Sequence, residues 1–204
     1  MWQLLARSIV LLICCVSASF STYADENLYQ VELIIFEHTN PKRFNTEHWP
    51  KFVGKLDPAS AIDINDPEAI QPVGEFVTLV GSKQMILNSE ANKIKATPTT
   101  RFIKHVAYQQ FMYLNEKSKA IYLTAGNDQE VAALLTIKPV RNAFNLDLDL
   151  IYKLQPNEKN LAPGVDELRI TRSVKFKKKE VYYIDHPVIG ILITIVPVVT
   201  TANN

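Results

Sequence analysis

The sequence predicts an α+β fold, a single strand-rich domain with mainly antiparallel sheet and few helices, placed after a cleaved signal peptide. Three observations lead there. Residues 145–152, NLDLDLIY, alternate strictly, with Leu146, Leu148 and Leu150 on one face and Asn145, Asp147 and Asp149 on the other. Further β-branched and apolar runs follow one another without the helical patterns that alternating βαβ units require. The first 24 residues, MWQLLARSIVLLICCVSASFSTYA, have the outline of a secretory leader.

In that leader Arg7 is the single charge, residues 9–16 are apolar, and small and polar residues run to Ala24, where cleavage is expected. The apolar core is well short of the roughly 20 residues that cross a bilayer. Lipidation at Cys14 or Cys15 is disfavoured, because bulky Ile13 and a second cysteine precede them. Both cysteines lie in the leader, so the exported domain, residues 25–204, is held without disulfides or thiolate metal sites. Removing Arg7 from the 22 Lys and Arg leaves 21, balancing the 21 Asp and Glu. A balanced chain has no global field for nucleic acid or an anionic membrane, and no span remains after cleavage.

Taken in order, residues 29–38, YQVELIIFEH, read as a buried first strand. Residues 39–75 hold five prolines and many Asn and Asp without a sustained period, which reads as a long irregular connection that Trp49, Phe52 and Val53 pin to the core. Residues 76–80 form a short strand, and Asn88 or Ser89 caps a helix in which Leu87, Ala91 and Ile94 repeat, ended by Pro98. Residues 101–114 fit either period and are read as strand. Residues 120–124 and 131–140 are strands separated by AGNDQ. After 145–152 comes a loop at 155–164, then a charged strand over 167–179 that leads into EVYYIDHPVIGILITIVPV.

Within that last stretch Pro187 holds His186 extended, and Asp185 accepts a backbone hydrogen bond readily, so a turn between strands VYYI and ILITIV suffices to explain DHP. KFKKKE places four lysines, Lys175, Lys177, Lys178 and Lys179, just before it. Such a run is a solvated edge that discourages aggregation, or a cationic groove beside Tyr182 and Tyr183 for a polymer offering carboxylates and sugar faces. Asp147 and Asp149 have the closeness of a glycosidase acid and base pair, but nothing in the sequence separates their environments as those roles require. Histidines 38, 48, 105 and 186 lack metal-site spacing, and neither GxSxG, P-loop nor GxGxxG occurs. No cofactor is expected.

The pattern E-x-x-Y-x-D-H-P followed by x-x-G-x-L-x-x-I-x-P resembles the C-terminal signature of the CsiV family of periplasmic proteins. Glu180, Tyr183, Asp185, His186, Pro187, Gly190, Leu192, Ile195 and Pro197 carry it. YQVELIIFEH, then Glu47, Trp49 and Pro50, then a helix and a strand with His105 follow the same order. Departures are Tyr108 where the family shows tryptophan, lysines at Lys175 and Lys177 where arginine is common, and Tyr182 for a frequent histidine. Lysine lacks the planar fork that pairs two-fold with a carboxylate, so these bear on ligand specificity more than on fold.

The resemblance implies a non-catalytic peptidoglycan-binding protein of the Gram-negative periplasm. It also implies support of cell-wall synthesis together with an outer-membrane lipoprotein activator of a class A penicillin-binding protein. The ligand-binding residues expected are Lys175, Lys177, Lys179, Glu180, Tyr182, Tyr183, Asp185 and His186, with a secondary surface of Trp49, His105 and Tyr108. Two other readings stay open: an envelope assembly factor that binds protein and not glycan, and a wall hydrolase using Asp147 and Asp149.

Overall fold

The computed structural model describes residues 28–40, 42, 50–51, 54–66, 77–159 and 162–198. The leader, His48, Trp49, Phe52 and Val53 lie outside them. In chain order the strands are β1 (Leu28–His38), β2 (Ile62–Asp63), β3 (Val77–Leu79), β4 (Thr100–Phe111), β5 (Ile121–Ala125), β6 (Val131–Val140), β7 (Ala143–Lys153), β8 (Glu167–Lys177), β9 (Val181–Asp185) and β10 (Ile189–Pro197). Helix α1 spans Asn88–Ala96 and α2 is the single turn Pro156–Lys159.

The strands form two five-stranded sheets, the first ordered β3-β4-β1-β10-β9 and the second β2-β5-β6-β7-β8. All pairings are antiparallel except β2 with β5. Inner faces of the two sheets share one core. Val31, Leu33 and Ile35 of β1 and Ile191, Ile193 and Ile195 of β10 join Leu123, Leu135, Leu146, Leu148 and Leu150 of the second sheet. Tyr29 meets Phe144 edge-on across this layer, with centroids 5.3 Å apart.

β1 is buried on both faces, which is why its apolar run is continuous and does not alternate. Its other face, Ile34 and Phe36, is covered by Leu87 and Ala91, with Ile94, Phe102 and Leu192 packed around them. In β7 the leucines are buried and Asn145, Asp147 and Asp149 half-exposed, as the alternation requires. Residues 100–111 are strand, because the central β1 offers them a full ladder from Leu28 to His38.

Two local details differ from the expectations. The cap residue of α1 is Leu87, with no side-chain cap. The N–H groups of Leu87 and of Ile86 before it are accepted instead by the Glu32 carboxylate of β1, at 2.7 Å each. Asn88 donates backward to the Ser82 and Met85 carbonyls. The expected loop at 155–164 contains α2, in which Pro156 suits the first helical position and the Glu158 carboxylate accepts the Gln155 N–H at 2.5 Å.

Glu158 also ties α2 to a buried ionic cluster that joins the two sheets. Arg101 of β4 donates to Glu37 of β1, to Glu130 at 2.9 Å and to the Tyr152 hydroxyl of β7 at 3.3 Å. Tyr152 donates to Glu158 at 2.9 Å, and Gln155 donates to Glu130 at 2.7 Å. Burial, opposed in part by the Gln155 N–H but reinforced by the neighbouring Glu37, pushes the Glu158 carboxyl up to about 7. A raised carboxyl favours the protonated fold: its contribution is present below about 4.5 and is lost as pH rises through about 7. Denaturation midpoints are therefore expected to fall between those values, and Glu158→Gln is expected to flatten that fall. An unchanged slope in the variant would assign the pH dependence elsewhere.

Candidate ligand-binding site

The DHP stretch is a turn. Asp185 pairs with Gly190, and residues 186–188 connect β9 to β10. His186 is 5% exposed, and its Nδ1 accepts the Val188 N–H at 3.3 Å, so the ring serves as an acceptor inside the turn. The Val188 carbonyl accepts the His38 N–H at 2.7 Å, fastening the turn to the end of β1.

This fastening brings Tyr183 and Asp185 to His38, 145 residues from Tyr183 in the chain. The Tyr183 hydroxyl donates to Asp185 Oδ1 at 2.7 Å and lies 3.0 Å from His38 Nε2. With the hydroxyl proton given to the carboxylate, its oxygen accepts, which places the imidazole proton on Nε2. That nitrogen is 3.4 Å from the same Oδ1. The Tyr183 ring lies parallel to Phe36, 8° between planes and 6.2 Å between centroids, and Phe36 stands edge-on to His38.

Gly190 permits this arrangement. A Cβ there would lie 2.3 Å from Phe36 Cζ, inside any real contact. Gly190→Ala is expected to destabilise the fold by about 1–3 kcal/mol through overpacking, and Phe36→Leu in the same chain to restore part of that. Thermal midpoints of the single and double variants check it, and additive losses would contradict the contact.

Tyr183 and Val181 are 42% and 46% exposed, and Asp185 is exposed beside them. Together with Leu192, which pairs with Tyr183, they form an aromatic and apolar shelf on the α1 side of the first sheet, closed at one end by the carboxylate and imidazole. An open aromatic face with planar hydrogen-bonding groups at its rim suits a sugar ring, apolar on its face and polar at its edge.

The other expected residues are not gathered here. Neighbouring strand residues point to opposite faces, and Tyr182 turns inward to stack on Phe176 at 5.5 Å. Lys175 lies on the outer face of the second sheet, paired with Asn145, on the side of the molecule opposite Tyr183. Lys177 ends β8, and its N–H donates to Glu180 Oε2 at 3.1 Å. Lys179 sits in the connecting turn at φ 63°, its N–H on the Ile195 carbonyl. The expected single groove of lysines and both tyrosines is thus divided between two sheets, because the chain changes sheet within Lys178–Glu180.

Of the secondary surface, Trp49 lies outside the described residues. Tyr108 is fully buried in the core, where burial pushes its hydroxyl pKa up, and it offers no surface. His105 Nε2 lies 2.7 Å from Glu32 Oε1 beneath the start of α1, a structural position. Asp149 is held two-fold by Arg169, at 2.8 and 2.6 Å. Asp147 receives Lys117 at 2.8 Å and Ser173 at 2.7 Å, and these two hold its carboxyl below the usual range. Both aspartates are thus engaged by cations on the outer face of the second sheet.

His38 and Phe36 were missed as site residues by sequence reasoning. The signal was faint: a histidine closing an otherwise apolar strand. Among the described residues no group of three or more His, Cys, Asp or Glu is placed to hold a metal, and no helix is long and apolar enough to cross a membrane. A family model described as "Peptidoglycan-binding protein, CsiV" matches residues 4–198. No curated protein and no solved structure matches the chain.

Proposed function

The chain belongs to the CsiV family of peptidoglycan-binding proteins, and on that premise we propose that it holds peptidoglycan on the outer face of β9 without cleaving it. The observation that supports this placement is the convergence of Tyr183, Asp185 and His38 on one exposed shelf beside Gly190. The tyrosine face packs against a sugar, and Asp185 and His38 hydrogen-bond its hydroxyl or amide groups. Buried His186 organises the turn and takes no part in contact. Binding of this kind agrees with a periplasmic protein exported by its leader, supporting cell-wall synthesis beside an outer-membrane lipoprotein activator of a class A penicillin-binding protein.

Co-sedimentation with purified sacculi tests it. The protein is expected to pellet without releasing soluble fragments, and Tyr183→Ala to weaken binding about tenfold, the loss of about 1.4 kcal/mol that an aromatic contact contributes. Equal pelleting of the variant would remove the shelf from the contact. Fragment release would make the protein a hydrolase, and failure to pellet at any salt would favour an assembly factor that binds protein alone.

A further inference from the structure

The tyrosine shelf leaves Lys175 and Lys177 without a role, and both stand towards one end of the second sheet. Register fixes that end: Val140 of β6 pairs with Ala143 of β7, which pairs with Lys177 of β8. Further in, Lys138, Asn145 and Lys175 lie side by side on the outer face. Neighbouring strands stand about 4.8 Å apart, so the two lysines flank Asn145 across about 10 Å. Arg141 is exposed in the two-residue connection from β6 to β7.

Among the described residues, no hydrogen bond or ion pair engages the side chains of Lys138, Arg141, Lys175 or Lys177. The acids near them are few. Asp147 is already taken by Lys117 and Ser173, Glu180 accepts the Lys177 N–H at 3.1 Å, and Glu116 is exposed just before Lys117. Towards the far end of the sheet the cations are matched: Lys159 meets Asp166 at 2.6 Å, and Arg169 holds Asp149 at 2.6 Å.

The end with the free cations also carries an exposed apolar pair. Between β4 and β5 the chain turns at residues 113–116, where the Glu116 N–H donates to the Tyr113 carbonyl at 3.1 Å and Asn115 takes a left-handed φ of 64°. The Asn115 N–H donates to the Pro139 carbonyl at 2.8 Å, which sets this turn beside the end of β6. Tyr113 and Leu114, 55% and 56% exposed, are the most exposed large apolar side chains among the described residues. An acidic sugar chain satisfies the cations but gives Leu114 no partner. A lipid surface satisfies both, because tyrosine and leucine enter at headgroup level while lysine and arginine meet the phosphates.

We infer that this end of the second sheet docks on a bilayer surface of anionic phospholipid. The balanced charge of the whole chain does not oppose it, since screening limits the contact to charges within a Debye length of the surface. Each Lys or Arg held there raises partitioning roughly fivefold, and Lys138, Arg141, Lys175 and Lys177 act together. Docking of this kind needs no peptidoglycan, and it leaves the shelf open because Lys175 lies on the face opposite Tyr183.

Flotation of the exported protein with vesicles tests it. Vesicles of phosphatidylcholine alone are compared with vesicles of phosphatidylcholine and an equal part of phosphatidylglycerol, each at low and high salt. Binding is expected to the anionic vesicles, at least tenfold weaker to the neutral ones, and fading as salt screens the contact. Lys138→Glu with Lys175→Glu is expected to weaken it at least tenfold without moving the thermal midpoint. Tyr113→Ser with Leu114→Ser is expected to weaken it and keep the salt dependence. Lys153→Glu, at an exposed lysine of the far end, is the control that changes nothing, and Tyr183→Ala is expected to bind vesicles as wild type does. Failure to bind anionic vesicles, equal binding to both compositions, or full binding by the double lysine variant overturns the docking surface. Loss of sacculus binding in that variant, with wild type ignoring vesicles, assigns the patch to wall carboxylates and overturns it as well.

Discussion

Glu32→Ala is expected to destabilise the protein by about 3–5 kcal/mol, the loss typical when one partner of a buried ionic group is removed. Glu32 is fully buried in the central strand, yet its two oxygens serve four donors. They accept the Ile86 and Leu87 N–H groups and His105 Nε2 at 2.7 Å each, and the Gln30 amide at 3.3 Å. Removing the carboxylate strands the entry of α1 and a histidine that is 9% exposed. Glu32→Gln keeps the shape and part of the acceptance, so an intermediate loss of about 1–2 kcal/mol is expected. Chemical denaturation gives the magnitudes, and hydrogen exchange should show α1 opening first. A loss below about 1 kcal/mol for alanine would mean that water replaces the carboxylate without penalty.

Arg101→Met is expected to be the second large effect. Arg101 reaches Glu37 and Glu130, whose side chains are 5% and 1% exposed, and the Tyr152 hydroxyl between the sheets. Burial works against its charge, but the hydrogen bonds to Glu130 and Glu37 outweigh that and hold its pKa above the ordinary value. Methionine fills the volume and leaves two buried carboxylates uncompensated. The Arg101 side chain is 36% exposed, so a loss of about 3 kcal/mol, at the lower end of the range for broken buried pairs, is expected near neutral pH. Chemical denaturation gives the magnitude, and a loss below about 1 kcal/mol would show that packing, and not charge, is what Arg101 supplies.

These two residues also show where the sequence was readable. β7 was legible because one face is core and the other solvent, giving strict alternation. β1 was legible as a buried strand because α1 covers the face that the second sheet does not. What it concealed was Glu32: an acid inside an apolar run marks a buried acceptor, but three of its four donors lie 54 to 73 residues away. The split between sheets was hidden because the turn at Lys178–Glu180 uses neither Gly nor Pro; Lys179 adopts the left-handed conformation itself. Tyr182 and Tyr183 gave a usable clue, since neighbours in a strand cannot line one surface. α2 was announced too, by Pro156 at its first position and Glu158 at its third, in a stretch read as loop. His38 had no local clue that paired it with Tyr183, because β10, the last strand, carries the turn back to β1.

Amide chemical-shift mapping with a soluble disaccharide carrying its stem peptide addresses the binding shelf itself. Perturbations are expected at Phe36, His38, Val181 to Asp185 and Gly190, with saturation at a single affinity and loss of the response in Tyr183→Ala. Shifts confined to Asn145, Asp147, Asp149 and Lys175 would place the ligand on the opposite face, and contradict the shelf.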